Sequence, residues 1–587
     1  MKKSAAARTR QPAPPAAPLA KAIRAITRAR QFTRYLQDLL VELCAVNTTP
    51  NPNVAVMRRA EGRCFTILER ELRGLGFAGA RTERRPVNPA IKSHRHYSLL
   101  HFTKTARRPK GLTPEQTYAG RSNLLYVIPG VNGGRDPRAR SLALNAHVDV
   151  VAPYFLPRVQ NGTVFGRGAC DDKGPVVSIV AALRILSELA AKRGLRLNRN
   201  LVVMFVVEEE TGGNGSLSLA TDAEVKALYE SLLVCECTGL KIYPANRGAV
   251  WYRAELAKLR GVSAFEMFAF VNEHLEKEGV ALRTESRHKL FPQRPVQTCH
   301  GILGPFGEHP SRICGHVRFT IQFEREPDAR TGRLVRDCLD FGLANYLGLY
   351  GDKSKVKDPA TGKPLVARHF TLARGGHGFV VDVYGATGHM GAIRERDGAI
   401  TKTAHLVRSL VYSKPRIQAF GGPVTLALAQ AAPEDRLVLE GGQGFIPTHD
   451  IDEVMERMRR AAQRGAENYL RRIGRRERGE DVVCVTYEKL HNVAFDGDPY
   501  SPSMRNAVVA AQACGIWEDE PIRGWTVSCD ARLFATEYPD LPVLTFGPGQ
   551  LAFAHSDQEQ IDLTEVRAAA EFLVLFLLQQ TGTAKIA

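Results

Sequence analysis

Residues 200–213 read NLVVMFVVEEETGG. The β-branched and apolar run from Asn200 to Val207 suits a strand buried on both faces. It stops at three carboxylates, Glu208, Glu209 and Glu210, and two glycines that permit a tight turn. Adjacent carboxylates repel one another, and beside a buried strand they are poorly hydrated; a nearby cation offsets that cost. By itself the stretch fits a solvated acidic loop equally well, so its neighbours decide.

Before it, Leu124 to Ile128 and Ser141 to Ala146 read as strands, and Val176 to Leu189 as a long helix of apolar period. After it, Leu232 to Cys237 is a further buried strand. Such strand–helix alternation predicts a layered α/β domain. Polar residues recur where these strands end. His147 and Asp149, two apart on an extended chain, point the same way, so the imidazole can take a metal while the carboxylate fixes its tautomer. A lone His-x-Asp is more often structural. In GRGACDDKG (166–174) Asp172 suits a helix N-cap, which leaves Asp171 to present both oxygens, as bridging two cations requires. Glu236 stands at another strand end between Cys235 and Cys237, which alternation sends to the opposite face as packing residues. His555 follows the strand Val543 to Phe546 and a Gly-Pro-Gly turn. Two histidines and at least three carboxylates thus gather where open α/β sheets place their ligand sites. These donors suit zinc, with manganese or cobalt acceptable.

In this order, His-x-Asp, Gly-Arg-Gly-x-x-Asp-Asp-Lys-Gly, Glu-Glu-x-x-Gly, Glu-x-Thr-Gly and a late histidine, the chain resembles a family of dizinc hydrolases. The family includes acetylornithine deacetylase, succinyl-diaminopimelate desuccinylase, aminoacylase, glutamate carboxypeptidase and carnosinase-type dipeptidases. The resemblance covers nearly everything from Gln31 onward except much of Ala254 to Phe370. It implies an aminopeptidase-like layered α/β catalytic domain with a mixed sheet, interrupted by an unusually large α+β lid. It implies two divalent ions, zinc foremost, one held by His147, Asp171 and Glu236 and the other by Asp171, Glu210 and His555. Asp149 would orient His147, and Glu209 would be the general base of amide or peptide-bond cleavage. His389, in GATGHMG (385–391), resembles the lid histidine that stabilises the oxyanion. Arg532, in SCDAR (528–532), resembles the arginine that grips a substrate carboxylate. One departure is Gly444, where the family more often has asparagine.

The expected division is a basic disordered tail over 1–30, a catalytic domain over 31–247 and 491–587, and a lid over 248–490. Within the lid, 254–370 forms a possible extra subdomain, which could imitate a partner subunit's lid. At 587 residues, 44% hydrophobic and 24% charged, the chain has the composition of a multidomain globular protein. No uninterrupted apolar stretch approaches the roughly 18–20 residues of a membrane span. Eleven scattered cysteines fit reduced thiols in the cytoplasm. The net charge of +19 draws eight of its positive charges from the first thirty residues. No nucleic-acid motif accompanies it, so neither a specific nucleic acid nor a membrane is an expected partner. The expected partner is a small-molecule or short-peptide substrate, on a homodimer or a self-contained monomer. The alternative is a catalytically silent binding or regulatory protein on the same scaffold, against which the intact Glu209 argues.

Overall fold

The structure is a computed structural model that describes residues 17–131, 140–358, 361–431 and 436–585. Three helices lead in: α1 (Ala17–Thr27), α2 (Arg30–Cys44) and α3 (Val54–Arg73). They precede β1 (Arg81–Pro86), β2 (Ser122–Ile128), β3 (Leu142–His147), α4 (Lys173–Arg193), β4 (Leu201–Val206) and β5 (Ser231–Cys235). The lid begins with β6 (Gly248–Leu256), α5 (Ala264–Glu285) and β7 (Thr298–Leu303). It continues through β8 (His316–Phe323), α6 (Ala329–Tyr350), β9 (Phe370–Arg374), β10 (Gly378–Tyr384), α7 (Ala399–Gly421) and β11 (Val424–Leu428). It closes with β12 (Leu437–Phe445), α8 (Ile451–Arg472) and β13 (Val483–Asn492). The chain then returns through α9 (Pro502–Cys514), β14 (Val543–Phe546) and α10 (Leu563–Thr581).

One mixed sheet, ordered β1-β2-β4-β3-β5-β14, carries the catalytic domain. β4, β3, β5 and β14 run parallel, and β1 and β2 are antiparallel additions at one edge. Both faces are covered. Leu144, Val203, Phe205 and Leu233 join the core with α4 and α10, while Ala143, Val202, Met204 and Leu232 pack on the other side with Leu219 and Phe534. That two-sided burial is why the strands read as continuous apolar runs. α4 is long and apolar enough to cross a membrane, with a mean hydropathy of 1.6, but 72% of that window is buried inside the fold. It is a core helix, packed on α10 and α2.

The disordered tail requires correction from Ala17 onward. α1 is amphipathic and inserts Ala20 and Ile23 into the core, where it contacts α10. The spacing of its apolar residues, not the Ala/Pro-rich composition, determines its state. The basic residues Lys2, Lys3, Arg8 and Arg10 lie outside the described residues.

The lid consists of two lobes of one topology. Each runs strand–helix–strand–strand–helix–strand as an antiparallel sheet of ferredoxin-like order. In the first lobe the order is β7-β12-β6-β13; in the second it is β9-β10-β8-β11. The second lobe, His316 to Leu428, is nested whole between β7 and β12 of the first. The expected split at 254–370 is therefore wrong, because it cuts across both lobes. Nested insertion makes the first lobe discontinuous in sequence, and a reading by proximity assigned its first half to the insertion. Phe268 and Phe270 of α5 share one core with Phe319 of β8 and Leu406 of α7, so the lobes pack as a single body.

Candidate metal centre

His147 ends β3 with its Nδ1 3.0 Å from the Asp149 carbonyl oxygen and 3.5 Å from Asp149 Oδ1. Nδ1–H donates there, which leaves Nε2 unprotonated-capable and aimed at Asp171 Oδ1, 3.1 Å away. The Asp149 carboxylate also accepts the backbone N–H of Glu209 at 3.2 Å and of Glu210 at 3.0 Å. It therefore fixes both the histidine and the carboxylate loop after β4.

That loop separates its three glutamates. Glu208 takes a left-handed φ of 67°, which turns its side chain away from the other two. There it accepts from Tyr118 Oη and Arg121, and Arg121 also pairs with Glu61. The repulsion expected among three carboxylates is thus partly relieved by a buried arginine. Glu210 Oε1 lies 2.9 Å from His555 Nε2, and Glu209 Oε2 lies 4.0 Å from His147 Nε2.

Asp171 and Asp172, joined by a cis peptide bond, sit just before α4. The expected capping role of Asp172 fails. It occupies the N-cap position but makes no side-chain cap hydrogen bond; its Oδ2 accepts from the His147 backbone N–H at 3.1 Å. Pro175 at the third helical position has no N–H to offer a cap, so the carboxylate turns to the buried His147 N–H instead. The preceding loop closes tightly at Gly168, φ 88°, where a Cβ would stand 2.7 Å from Val150 Cγ1. Glu559 pins the loop: its Oε1 accepts from Gly168, Cys170 and Asp171 N–H at 3.0–3.1 Å, and its Oε2 pairs with Arg167.

The result is a shared carboxylate. Asp171 places Oδ1 3.1 Å from His147 Nε2 and Oδ2 3.2 Å from His555 Nε2. Two groups of ligand atoms, each within 4.8 Å of one another, meet at it: His147, Asp171, Asp172 and Glu236, and Asp171, Glu210 and His555. The structure brings all five sequence-derived donors together and adds Asp172, whose signal was its pairing with Asp171. A third such group, Glu285, His449 and Glu453, differs in that Arg457 already pairs with both of its glutamates.

Cys235 and Cys237 are both buried, but on opposite faces of the sheet, because β5 ends at Cys235 and alternation ends with it.

The centre is short of positive charge. Burial pushes Glu209, Glu236 and Asp172 well above the usual carboxylate range, and neighbouring carboxylates push them further. Burial raises Asp171 too, but hydrogen bonds from both histidines outweigh it and hold its pKa low. Asp172 Oδ1 and His555 Nδ1 are buried without a hydrogen-bond partner. Such a donor set, anionic, desolvated and arranged around one shared carboxylate, fits divalent cations.

His389 arrives from the second lobe. Its ring centroid lies 4.6 Å from that of His555, and its N–H donates to the Ala554 carbonyl at 3.0 Å. Nδ1 accepts the Gly391 N–H at 2.9 Å, and Gln297 of the first lobe donates to the Gly391 carbonyl at 2.6 Å. Arg312, from the link between β7 and β8, donates to the His555 carbonyl at 2.9 Å. Arg532 is buried behind the carboxylate loop, faces Asp530 and donates to the Gly212 carbonyl at 3.0 Å. Glu559, Arg312 and Gln297 escaped the sequence reading; only the nearness of Glu559 to His555 in the chain hinted at any of them.

The model of peptidase family M20/M25/M40 matches residues 143–579. A peptidase M20 domain-containing protein of Schizosaccharomyces pombe is 29% identical over 149 residues, 25% of this chain and 35% of that protein. The LysW-lysine/LysW-ornithine hydrolase of Saccharolobus islandicus is 33% identical over 78 residues, 13% of this chain and 20% of that enzyme. The matched segments span about a third or less of these relatives. Human carnosine dipeptidase 1 shares the fold at a TM-score of 0.56 and 13% identity, covering 97% of this chain and 100% of that one. The dipeptidase Dug1p of Saccharomyces cerevisiae does so at 0.51 and 11%, covering 96% and 98%. A family match over most of the chain, spanning every donor of the buried centre, identifies the protein as a member of peptidase family M20/M25/M40.

Proposed function

We propose that the protein hydrolyses an amide or peptide bond in a dipeptide or N-acyl amino acid bearing a free carboxylate, with two divalent ions. Zinc is the first choice, and cobalt or manganese suits the same donors. His147, Asp171 and Glu236, with Asp172 beside them, would hold one ion; Asp171, Glu210 and His555 would hold the other. The carrying observation is the placement of one Asp171 oxygen against each histidine. When bound, the ions supply Lewis acidity to the attacking water and the scissile carbonyl.

The residues divide the remaining work. Asp149 keeps the His147 Nε2 lone pair directed inward and aligns the backbone of Glu209 and Glu210. Glu209 belongs to no donor group, lies beside the centre and has its pKa raised by burial and by Asp530, which suits a base that accepts a proton from water and returns it to the leaving nitrogen. His389 accepts at Nδ1, so its Nε2 carries the proton and can donate to a developing oxyanion. Arg532 remains a candidate for the substrate carboxylate: its Nη2 donates to the Gly212 carbonyl, while its Nε and Nη1 are buried without a hydrogen-bond partner.

His389 and His555 belong to the same chain, and Thr387 of the second lobe and Arg312 of the link before it both reach Asp557. We therefore favour the self-contained monomer over the homodimer. The eleven cysteines are free thiols, and a cytoplasmic location is part of the proposal.

A panel of dipeptides and N-acyl amino acids, assayed with and without chelator, tests the reading. Metal-dependent turnover that vanishes in Glu209→Gln is expected, with close to two ions per chain. Turnover that survives both chelation and Glu209→Gln would sink it.

A further inference from the structure

The loop that carries His389 runs from the end of β10 at Tyr384 to the start of α7 at Ala399. It is drawn together at a neck. Ala386 N–H donates to the Asp397 carbonyl at 2.8 Å, and a Cβ on Gly385 would stand 2.3 Å from that same oxygen. The two sides of the neck cross too closely to admit a side chain there. At the tip, the backbone N–H of His389 reaches the carbonyl of Ala554, one residue before His555. The seat of the neck therefore decides where the imidazole stands over the centre.

Beneath the neck lies a buried lysine that the metal centre does not use. Lys402, in the first turn of α7, and Asp397 are both fully buried. An ammonium has three protons to place. Lys402 Nζ donates to Asp397 Oδ2 at 2.5 Å, to the Tyr384 carbonyl at 2.6 Å and to His369 Nδ1 at 3.1 Å. Tyr384 opens the loop and Asp397 closes its neck, so one nitrogen grips both ends. The grip is itself braced. Tyr346 of α6 donates its hydroxyl to the other Asp397 oxygen, and His369 donates from Nε2 to Asp352 Oδ1 at 2.9 Å.

A buried ion pair is a poor source of stability, because apolar side chains of similar volume hold an interior as well or better. What an apolar pair lacks is direction: it does not fix two particular oxygens beside one atom. An oxyanion donor needs that definition, since a misplacement of about 1 Å costs on the order of a hundredfold in rate.

We propose that Lys402, acting through Asp397 and the Tyr384 carbonyl, is the positioning residue of His389. This rests on the hydrolase reading above, in which His389 donates to the oxyanion, and adds the group that sets its place. The three partners of Lys402 include no metal donor, so it acts only by holding the loop.

The experiment is a double-mutant cycle between Lys402→Met and His389→Ala in the metal-loaded protein, read on any substrate the parent turns over. Lys402→Met is expected to lower kcat about 10–100-fold, with KM and metal content close to the parent's. In the His389→Ala background the same change should cost less than about twofold, because the group being positioned is gone. Asp397→Asn, of the same size, should show a smaller loss with the same dependence on His389, and it serves if Lys402→Met does not fold. Leu406→Ala, one turn further along α7, opens a cavity in the same core and should lower the melting temperature with kcat unchanged. Hydrogen exchange of the metal-free protein gives a reading that needs no substrate. Amides of 385–397 should exchange faster in Lys402→Met, while those of α8 stay as in the parent. A folded Lys402→Met with the parent's kcat overturns the proposal and leaves the hydrolase reading intact. Equal kcat losses with and without His389, or unchanged exchange across 385–397, overturn it as well, because they leave Lys402 a merely structural part. A parent that cleaves nothing removes the hydrolase reading, and exchange alone then decides whether Lys402 holds the loop.

Discussion

Glu559→Gln is the perturbation that best tests how the centre is held. The Glu559 carboxylate is fully buried and takes three backbone N–H groups of the 168–171 loop together with the Arg167 guanidinium. Glutamine retains one oxygen for the backbone donors but places an amide NH2 against Arg167. Leaving a buried charge unpaired costs about 3–5 kcal/mol. The three N–H contacts lose their ionic partner and about half their strength, adding on the order of 1–2 kcal/mol. Spread over a cooperative unit of this size, that should lower the apparent Tm of the metal-free protein by roughly 3–6 °C. Because the Asp171 N–H is one of the three, the loop carrying the shared carboxylate loosens, and metal affinity should fall roughly 10–100-fold. Calorimetry in chelator and a competitive metal titration measure the two effects. Adding Arg167→Met to Glu559→Gln removes the orphaned charge and should restore part of the loss, which a double-mutant cycle quantifies. A Tm within about 2 °C of the parent, with unchanged metal affinity, would refute the reasoning.

Arg121→Leu leaves Glu61 and Glu208 buried without their cation and should cost about 3–5 kcal/mol, read from chemical denaturation. His389→Ala should lower kcat by about 10²–10³ with little change in KM, measured on whichever substrate of the panel is turned over. His405 on α7 is held down to about 4, by burial first and then by Arg408. The folded form is neutral while the unfolded chain takes up the proton, so stability is full above about pH 6.5 and falls as pH drops towards 4. His405→Gln should flatten that slope by up to about 3 kcal/mol between urea series at pH 7 and pH 4. A solution mass equal to one chain, with specific activity independent of dilution, is expected of a site completed by its own lid.

The metal centre was legible because strand period and strand end are local signals. His147, Glu210 and Glu236 could be placed from runs of a few apolar residues, and Asp171 from its glycine-rich loop. What supports them was not, because support comes from far along the chain. Glu559 reaches the Asp171 backbone from 388 residues away, and Arg312 meets the His555 carbonyl from 243 residues away. The inward turn of Asp172 was hidden for another reason. An aspartate before a helix satisfies the capping rule by position, and only the shortage of donors inside the centre shows why it turns the other way. The lid misled by its connectivity. The strand His316–Phe323 is readable from its pattern, but Thr298–Leu303 and Val424–Leu428 are not, and which helix belongs with which sheet depends on pairings such as Leu303 with Leu439. α1 shows the converse error, in which composition outweighed a correct apolar period.

The nesting of lobe within lobe imposes an order of assembly. β7 cannot find β12 until the second lobe has been made, and β5 cannot find β14 until both lobes have been made. Each enclosed unit can fold while its host waits with an open sheet edge, and long-range pairings of this kind close slowly. His555, the last donor in the chain, follows the strand that closes the outermost sheet. A growing chain therefore has both lobes of the lid made before His555, and before Glu559, which pins the Asp171 loop. Nascent chains arrested at successive lengths should gain chelator-sensitive turnover in one step beyond residue 555. The ligand centre thus comes together only in a molecule whose every enclosed part has already been made.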